Sequence, residues 1–401
     1  MRKITLEIFF IAMIFFMLPA FAKAAVIFED NFNSHSDWQP RPLENDVAPG
    51  GGVVACDFDE TCTGVKSVPT DWTNFRTTGW WWGPNYEDTI RITNQADHNN
   101  NGKSFIVYNE ANSGASGDGW GADGLLTKLF DQDYPEIYAR VWLKTDPNWK
   151  WATNNDMMIK MFRVKHFDRV GSIYTGFPAG TLAPILLWDI KHSNSWGTRW
   201  ANASRCDPQE TDYYCTTSVP GDNLFVAGNM TIEPNEPGMP ADGEWHQLDF
   251  HLKMNTYNSE TSSWSSDGIY QFSYDGVNRE NHSNVLWKRT GSNESIGWNA
   301  FDLGGNAFNS YNDNWSNTID YAIDDVVVRS SYRWRAIQPG INNPPYSATT
   351  YWENIGLVAG QIEQWYAMDD VIVSTTEIPE NYVIGGIDLI APAAPTNLNV
   401  T

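Results

Sequence analysis

The sequence predicts an all-β protein built from two packed antiparallel sheets with long loops. Short runs of alternating apolar and polar residues recur along the chain, and clusters of Gly, Asn, Asp and Pro separate them. This is the pattern of strands joined by turns. No run has the 3.6-residue period of a long amphipathic helix. Hydrophobic residues make up 41% of the 401 residues, enough to form the core that a sandwich or barrel needs.

The candidate strands are spread over the whole chain. Alternation is clearest in residues 26–32, 138–144, 157–164, 185–191, 245–254, 269–274, 321–328 and 366–373. Two of these runs begin with the pattern Tyr-Ala-x-Asp-Asp, at Tyr321 and at Tyr366. We expect both of them inside the sandwich, since similar strands have similar burial. Composition indicates long loops at 114–123 and 229–243.

The net charge of the chain limits the kinds of macromolecule that it could bind. The formal net charge is −23, which argues against a nucleic-acid partner and against adhesion to anionic lipid, because both need a basic surface. The 20 Trp residues outnumber the 7 His and 4 Cys together. Flat rings with an apolar face and a polar edge suit glycan binding as well as core packing.

The N-terminus predicts secretion. Arg2 and Lys3 precede a short apolar run, and Ala22-Lys23-Ala24 forms a small-residue cleavage site. Residues 1–24 are therefore predicted to be a signal peptide that directs the protein to the periplasm or the extracellular space. No later stretch is long and apolar enough to span a membrane.

The four cysteines fit an oxidising compartment. They form two close pairs, and four cysteines allow three connectivities. We favour the two local disulfides, Cys56–Cys62 and Cys206–Cys215, each closing a surface loop. Zinc is the alternative, but neither pair has C-x-x-C spacing or a nearby His.

Three motifs carry a family resemblance. They are Phe28-Glu-Asp-Asn-Phe, Gly243-Glu-Trp-His-Gln-Leu and Ile323-Asp-Asp-Val-Val-Val, in that order. Together they resemble the concanavalin A-like lectin/glucanase superfamily, a jelly roll whose members include laminin-G-type modules, glucanases and polysaccharide lyases. The resemblance implies one jelly-roll domain over 25–387. Residues 388–401 resemble the linker and first strand of a fibronectin type III domain.

The resemblance points to polysaccharide lyases more than to glucanases. The E-x-D-x-x-E signature of family 16 glucanases is absent, as are the R-x-E-x-R and Q-I-H patterns of alginate lyases. The run 138–151, followed by Met158-Ile-Lys-Met-Phe, is similar to the sheet of some secreted polysaccharide lyases. Between Arg140 and Arg205 there are ten basic and four acidic residues. Such a local excess can attract a uronate-bearing polysaccharide.

Strand alternation then selects candidate site residues, which we expect to share one concave face with bound substrate. Arg140 or Lys160 could neutralise a uronate carboxylate, and His251 could act as base or acid in β-elimination. Tyr274 could act in the same way, but it shares its strand face with Tyr270 and Phe272 and is expected in the core, as is His246. His166 and His192 are spare candidates for proton transfer. The predicted substrate-binding residues are Trp142, Lys144, Lys191, Gln247, Asp249 and Trp81, the last from the run Trp80-Trp81-Trp82.

Two questions stay open in the sequence. The resemblance implies that a structural Ca²⁺ could lie between the first and last strands, where Glu29, Asp30, Asp324 and Asp369 supply oxygen ligands; no other cofactor is indicated. The alternative to a polysaccharide-cleaving protein is a non-catalytic extracellular adhesion or structural matrix module. The oligomeric state is not indicated.

Overall fold

The computed structural model describes the strands of the domain and the shorter connections between them. The described residues are 25–40, 54–56, 67–77, 89–99, 102–110, 120–149, 157–170, 184–193, 197–205, 230–231, 242–288, 296–309, 315–329, 332–345, 347–357 and 363–385. The predicted signal peptide and the predicted fibronectin-like tail lie outside these residues.

Every regular element among the described residues is a β-strand. In the first half of the chain the strands are β1 (Val26–Asp30), β2 (Val54–Cys56), β3 (Asn74–Thr77), β4 (Ile90–Thr93), β5 (Ser104–Glu110), β6 (Trp120–Tyr134), β7 (Glu136–Thr145), β8 (Met157–Lys165), β9 (Ile185–Ser193) and β10 (Gly197–Arg205). In the second half they are β11 (Met230–Thr231), β12 (Trp245–Lys253), β13 (Tyr257–Asn258), β14 (Ser263–Trp264), β15 (Gly268–Tyr274), β16 (Val277–Val285), β17 (Trp298–Asn309), β18 (Asp320–Tyr321), β19 (Val326–Arg329), β20 (Tyr332–Ala336), β21 (Gly340–Ile341), β22 (Trp352–Leu357) and β23 (Glu363–Ser374).

Sheet A contains eight strands. Their order is β16-β15-β12-β7-β23-β5-β4, and β1 also pairs with β23. The last described strand, β23, lies in the middle of this sheet: β7 follows one of its edges, while β5 and β1 pair with different parts of the other. The register with β7 shifts between Asp369 and Ile372.

Sheet B also contains eight strands, in the order β11-β10-β9-β8-β17-β6-β3-β2. All pairings in both sheets are antiparallel. The strands β7 and β8 are consecutive in the chain but belong to different sheets. The predicted all-β jelly-roll sandwich of two antiparallel sheets is therefore confirmed.

Aromatic side chains from both sheets fill the space between them. Phe162 of sheet B stacks on Phe250 of sheet A with ring centroids 4.6 Å apart, and Trp188 meets Phe272 at 5.4 Å. Each of these rings is at most 2% exposed. Full burial of one such side chain contributes about 1.5–3 kcal/mol. These contacts identify the inner face of each sheet, so polar residues of the opposite parity lie on the outer faces.

A smaller unit lies outside the two main sheets. Strands β19, β20 and β22 form a three-stranded sheet, and β18 pairs with β21. Tyr321, Val327, Trp334 and Trp352 are buried in a core of their own. The prediction that both Tyr-Ala-x-Asp-Asp strands lie inside the sandwich is therefore wrong for 321–328. Only the second of them, in β23, belongs to a main sheet.

The described residues contain no helix long and apolar enough to cross a membrane.

Candidate functional site

The outer face of sheet A carries Arg140, one of the predicted catalytic residues. Its guanidinium is buried, and its Nε donates to Asp249 Oδ1 at 2.7 Å. Its Nη1 and Nη2 donate to the carbonyl oxygens of Pro379 and Ile378, at 2.8 and 3.3 Å. Arg140 therefore fixes the segment after β23 against the sheet. These internal contacts occupy the donors that a substrate carboxylate would need.

His251 lies on the same face, in a hydrogen-bonded stack. Its Nε2 is 2.7 Å from Glu136 Oε1, and its Nδ1 is 2.9 Å from Gln271 Oε1. The imidazole stacks on Tyr138 with centroids 4.1 Å apart and planes 7° apart. Burial, followed by the nearby Glu136 carboxylate, raises the pKa of Tyr138 to about 12, so this phenol stays neutral at physiological pH.

Trp142 and Lys144 extend this face towards β23. Trp142 carries the ring of His98 on one side, with centroids 3.8 Å apart. His98 in turn contacts Asp370 through Nδ1 at 2.7 Å and donates its backbone N–H to Asp369 Oδ2 at 3.0 Å. Burial raises the pKa of Asp369 to about 8. The Lys144 ammonium lies 6.0 Å from the centroid of the Trp245 ring.

Between these side chains lies a groove of about 690 Å³, which we call the sheet A groove. Its floor consists of outward-facing residues of β7, β12 and β15, and its wall is the segment 377–380. Among the described residues Arg140 is the only Lys or Arg in its lining. Four carboxylates line it as well, from Asp249, Asp275, Glu377 and Glu380. The sheet A groove is therefore acidic, which does not suit a polyuronate.

Lys160 does not belong to this face. It lies in β8 of sheet B, opposite Asp189 of β9, whereas Arg140 lies in β7 and His251 in β12, both in sheet A. The prediction that Lys160 shares one concave surface with Arg140 and His251 is therefore wrong. The reason is topological: the chain crosses from one sheet to the other between β7 and β8.

The outer face of sheet B carries three cations on β8, accompanied by the carboxylates of Asp302 and Asp189 on the neighbouring strands. A bulge in β8, between Lys160 and Phe162, resets the alternation, so that Phe162 turns into the core. The directly paired residues Arg163 and Asp302 then lie on the outer face, as Lys160 does. We call Lys160, Arg163 and Lys165 the cationic face.

Asp302 is the centre of the cationic face. Its carboxylate is fully buried and accepts two hydrogen bonds from Lys165 Nζ, at 2.8 and 3.0 Å. The Thr127 hydroxyl donates a third at 2.7 Å. Lys165 is only 1% exposed, so ammonium and carboxylate form a buried pair that satisfies both partners.

Arg163 is left without a full partner. Its side chain is buried, and its nearest carboxylate oxygen, Asp302 Oδ2, is 3.7 Å from Nη1. That is too long for a hydrogen bond, and Asp302 is already bonded to Lys165 and Thr127. In the described part of the chain Arg163 Nε has no hydrogen-bond partner. Among the described residues, the Nε of this buried guanidinium is therefore a donor without an acceptor, and an anion that reached it could form a charge-assisted hydrogen bond.

A glycine makes room for this guanidinium. A Cβ added to Gly305 of β17 would lie 3.0 Å from Arg163 Nη2 and 2.8 Å from Lys160 Cβ. Arg163 and Lys160 therefore border the same small space. Because Lys160 is half-buried, it lies on the more accessible side of that space.

The other predicted site residues are dispersed or lie outside the described residues. Trp81, Cys62, Cys206 and Cys215 lie outside them. Only the backbone of Cys56, in β2, and of Lys191 and His192, in β9, is described, so both disulfides stay predictions.

The predicted calcium ligands do not converge. Asp30 Oδ2 bonds to His35 and Trp72, at 2.8 and 2.7 Å, and Glu29 accepts a hydrogen bond from Tyr382. Asp324 is exposed in a turn that bonds to Ala336 of the smaller unit. No group of three His, Cys, Asp or Glu residues that could hold a metal ion occurs in the described ranges. Calcium binding remains a prediction for which these four residues form no common site.

His246 and Tyr274, both expected in the core, are buried, and the spare candidate His166 has a structural contact. His246 lies between Asp275 and Asp242, 2.8 and 3.0 Å away, and stacks on the buried ring of Tyr274. His166 Nδ1 is 2.9 Å from the Gly297 carbonyl oxygen. Sequence reasoning did not select Arg163, Lys165 or Asp302. The available signal was three cations within six residues of one strand.

Comparison with known proteins adds a set of remote structural likenesses. No family model and no curated protein sequence matches the chain. Among solved structures, the alginate lyase Aly36B is 8% identical, with a TM-score of 0.37, and the match covers 82% of this chain and 99% of that one. The alginate lyase vAL-1 from a Chlorella virus is 12% identical, with a TM-score of 0.37 and coverages of 72% and 89%. An endo-β-1,4-glucuronan lyase from Trichoderma reesei is 11% identical, with a TM-score of 0.35 and coverages of 72% and 87%. These neighbours are polysaccharide lyases, but at such TM-scores they do not determine the function of this chain.

Proposed function

We propose that this chain is a secreted protein that binds a uronate-containing polysaccharide on the cationic face of sheet B. The observation that carries the proposal is Arg163, a buried guanidinium whose Nε has no hydrogen-bond partner in the described ranges. Its ion pair with Asp302 is long, at 3.7 Å, and that carboxylate accepts hydrogen bonds from Lys165 instead. A uronate carboxylate would supply the missing acceptor. Secretion follows from the predicted signal peptide at 1–24.

The same residues suit β-elimination. Arg163 would pair with the uronate carboxylate, which makes the hydrogen on the adjacent ring carbon more acidic. Lys160, as the neutral amine, would accept that proton while the bond to the leaving glycosidic oxygen breaks and a carbon–carbon double bond forms. The resulting ammonium could then protonate the leaving oxygen. We therefore propose a polysaccharide lyase reaction with Arg163 and Lys160 in these roles.

A panel of acidic and neutral polysaccharides tests both parts of the proposal. Binding is measured by calorimetry, and cleavage by the ultraviolet absorbance of unsaturated chain ends. Arg163→Gln should weaken uronate binding by about 10- to 150-fold, the value of a charge-assisted hydrogen bond. The control is Arg335→Gln, which removes an exposed arginine from the smaller unit and should leave binding unchanged.

A variant of Lys160 distinguishes substrate binding from substrate cleavage. Lys160→Gln should abolish the appearance of unsaturated ends while the affinity changes little, because a proton-transfer role matters only in the transition state. If the wild-type protein binds uronates without producing such ends, the non-catalytic adhesion alternative is correct. If no uronate polymer binds, the proposal is wrong.

A further inference from the structure

The sheet A groove is a separate feature from the proposed uronate site. Its floor is formed by the outer faces of β7, β12 and β15 in sheet A, whereas Arg163 lies on the outer face of sheet B. The packed core between Phe162 and Phe250 separates the two faces. A sugar unit bound in one of them cannot touch the other.

The groove is held in shape by hydrogen bonds. Arg140 ties its wall to its floor, since one guanidinium bonds to Asp249 on β12 and to the carbonyl oxygens of Ile378 and Pro379. Ile378 is itself buried. A ligand would therefore meet a preformed cleft, and little ordering free energy would be lost on binding.

The floor offers flat rings beside polar groups. Tyr138 and His251 form one parallel stack, and the half-buried ring of Trp142 lies four residues along β7 from Tyr138. Gln247, Gln271 and Ser273 supply amide and hydroxyl groups in the lining. Rings that contact the apolar face of a sugar, next to groups that bond its hydroxyls, form the usual chemistry of a carbohydrate subsite.

The charge of the groove selects the kind of sugar. The carboxylates of Glu377 and Glu380 are exposed at the wall, and Asp275 is exposed at the end of β15. The charge of Arg140 is already paired with Asp249. Carboxylates accept hydrogen bonds from hydroxyl or ammonium groups and repel other carboxylates.

From these observations we infer that the sheet A groove is a second carbohydrate-binding site, which takes glycan units without acidic groups, either uncharged or amino-bearing. The chain would then hold two chemically different polymers on its two outer faces. This inference does not depend on uronate binding or cleavage at the cationic face.

Calorimetry with defined hexasaccharides tests the inference. The probes are cellohexaose, xylohexaose and mannohexaose as uncharged chains, a glucosamine hexamer as an amino-bearing chain, and hexaguluronate as the acidic chain. At least one uncharged or amino-bearing probe should bind. Gln271→Ala and Trp142→Ala should each weaken that binding by about tenfold or more, since each removes one direct contact. Gln338→Ala, at an exposed glutamine of the smaller unit, is the matched control and should have no effect.

Testing each variant with both kinds of ligand distinguishes the two sites. Arg163→Gln should leave the uncharged or amino-bearing probe bound, and the two groove variants should leave hexaguluronate binding unchanged. Thermal melting identifies folded variants, and Gln271→Ala, at a half-exposed position, is the milder of the two. The inference is overturned if no uncharged or amino-bearing probe binds, if folded groove variants bind like the wild type, or if hexaguluronate competes for the groove.

Discussion

Replacing the buried carboxylate of Asp302 gives a quantitative test of the cationic face. Asp302→Asn keeps the shape of the side chain but removes the negative charge that accepts two hydrogen bonds from Lys165. The Lys165 ammonium, 1% exposed, would then lose the carboxylate that pairs with it in the buried interior. Breaking a buried pair in this way costs about 3–5 kcal/mol, a large part of the roughly 5–15 kcal/mol that stabilises a typical domain.

Urea unfolding followed by tryptophan fluorescence measures this loss. We expect the free energy of unfolding of Asp302→Asn to fall by about 3–5 kcal/mol with an unchanged denaturant slope. The control is Glu353→Gln, which breaks the ion pair between Glu353 and Arg335, whose side chains are 47% and 44% exposed. That exposed pair should contribute at most about 1 kcal/mol.

A double variant tests whether the loss of stability comes from breaking the pair between Lys165 and Asp302. If the loss comes from the Lys165 ammonium, Lys165→Met combined with Asp302→Leu should be more stable than Asp302→Asn alone, because the Lys165 charge is gone. Both variants lose the 3.7 Å ion pair between Arg163 and Asp302 to the same extent. If Asp302→Asn loses no more stability than Glu353→Gln, the carboxylate does not hold Lys165 as argued, and the electrostatic account of this face is wrong.

Three further predictions concern other parts of the fold. Because burial raises the pKa of Asp369 to about 8, the native protein retains a proton that the unfolded chain releases at about pH 4, so stability should fall as the pH rises from about 4 to about 8. In Asp369→Asn that fall should be absent in urea unfolding across this range, and an equally steep fall in the variant would contradict the assignment. Gly305→Ala should cost about 1–3 kcal/mol, since its Cβ would lie 2.8 Å from the Lys160 carbonyl oxygen; an unchanged unfolding midpoint would refute the close packing. Arg140→Met should release residues 377–380, and limited proteolysis followed by mass spectrometry should detect new cleavage there, whereas an unchanged pattern would show that other contacts hold this segment.

Strand alternation predicted much of sheet A correctly. On β12 the residues Leu248, Phe250 and Leu252 are buried, and Gln247, Asp249 and His251 alternate with them on the other face. The prediction succeeds here because β12 pairs with β7 and β15 without an interruption opposite these residues. Where a strand is regular, the period of two alone determines which side chains share a face.

Alternation failed at β8. Continued from Lys160, it places Phe162 outside and Arg163 inside, but the bulge reverses both assignments. A bulge adds one residue to a strand without a reliable mark in the sequence. Nor could the pattern reveal that β7 and β8 belong to different sheets, because most consecutive strands are neighbours. The sequence shows the three cations of β8, but it does not show which face of the sheet each side chain occupies.

The central position of β23 has a consequence for how the chain acquires its structure. Until β23 is in place, sheet A consists of three separate parts, β16-β15-β12-β7, β5-β4 and β1, and the edges of β7 and β5 that pair with β23 are open. Open edges of this kind can pair with other chains. Insertion of β23 brings Ala25 into hydrogen bonds with Thr375 and Thr376, some 350 positions away in the chain. Contacts so distant in sequence form slowly. We therefore expect the chain to be most prone to aggregation before β23 is inserted.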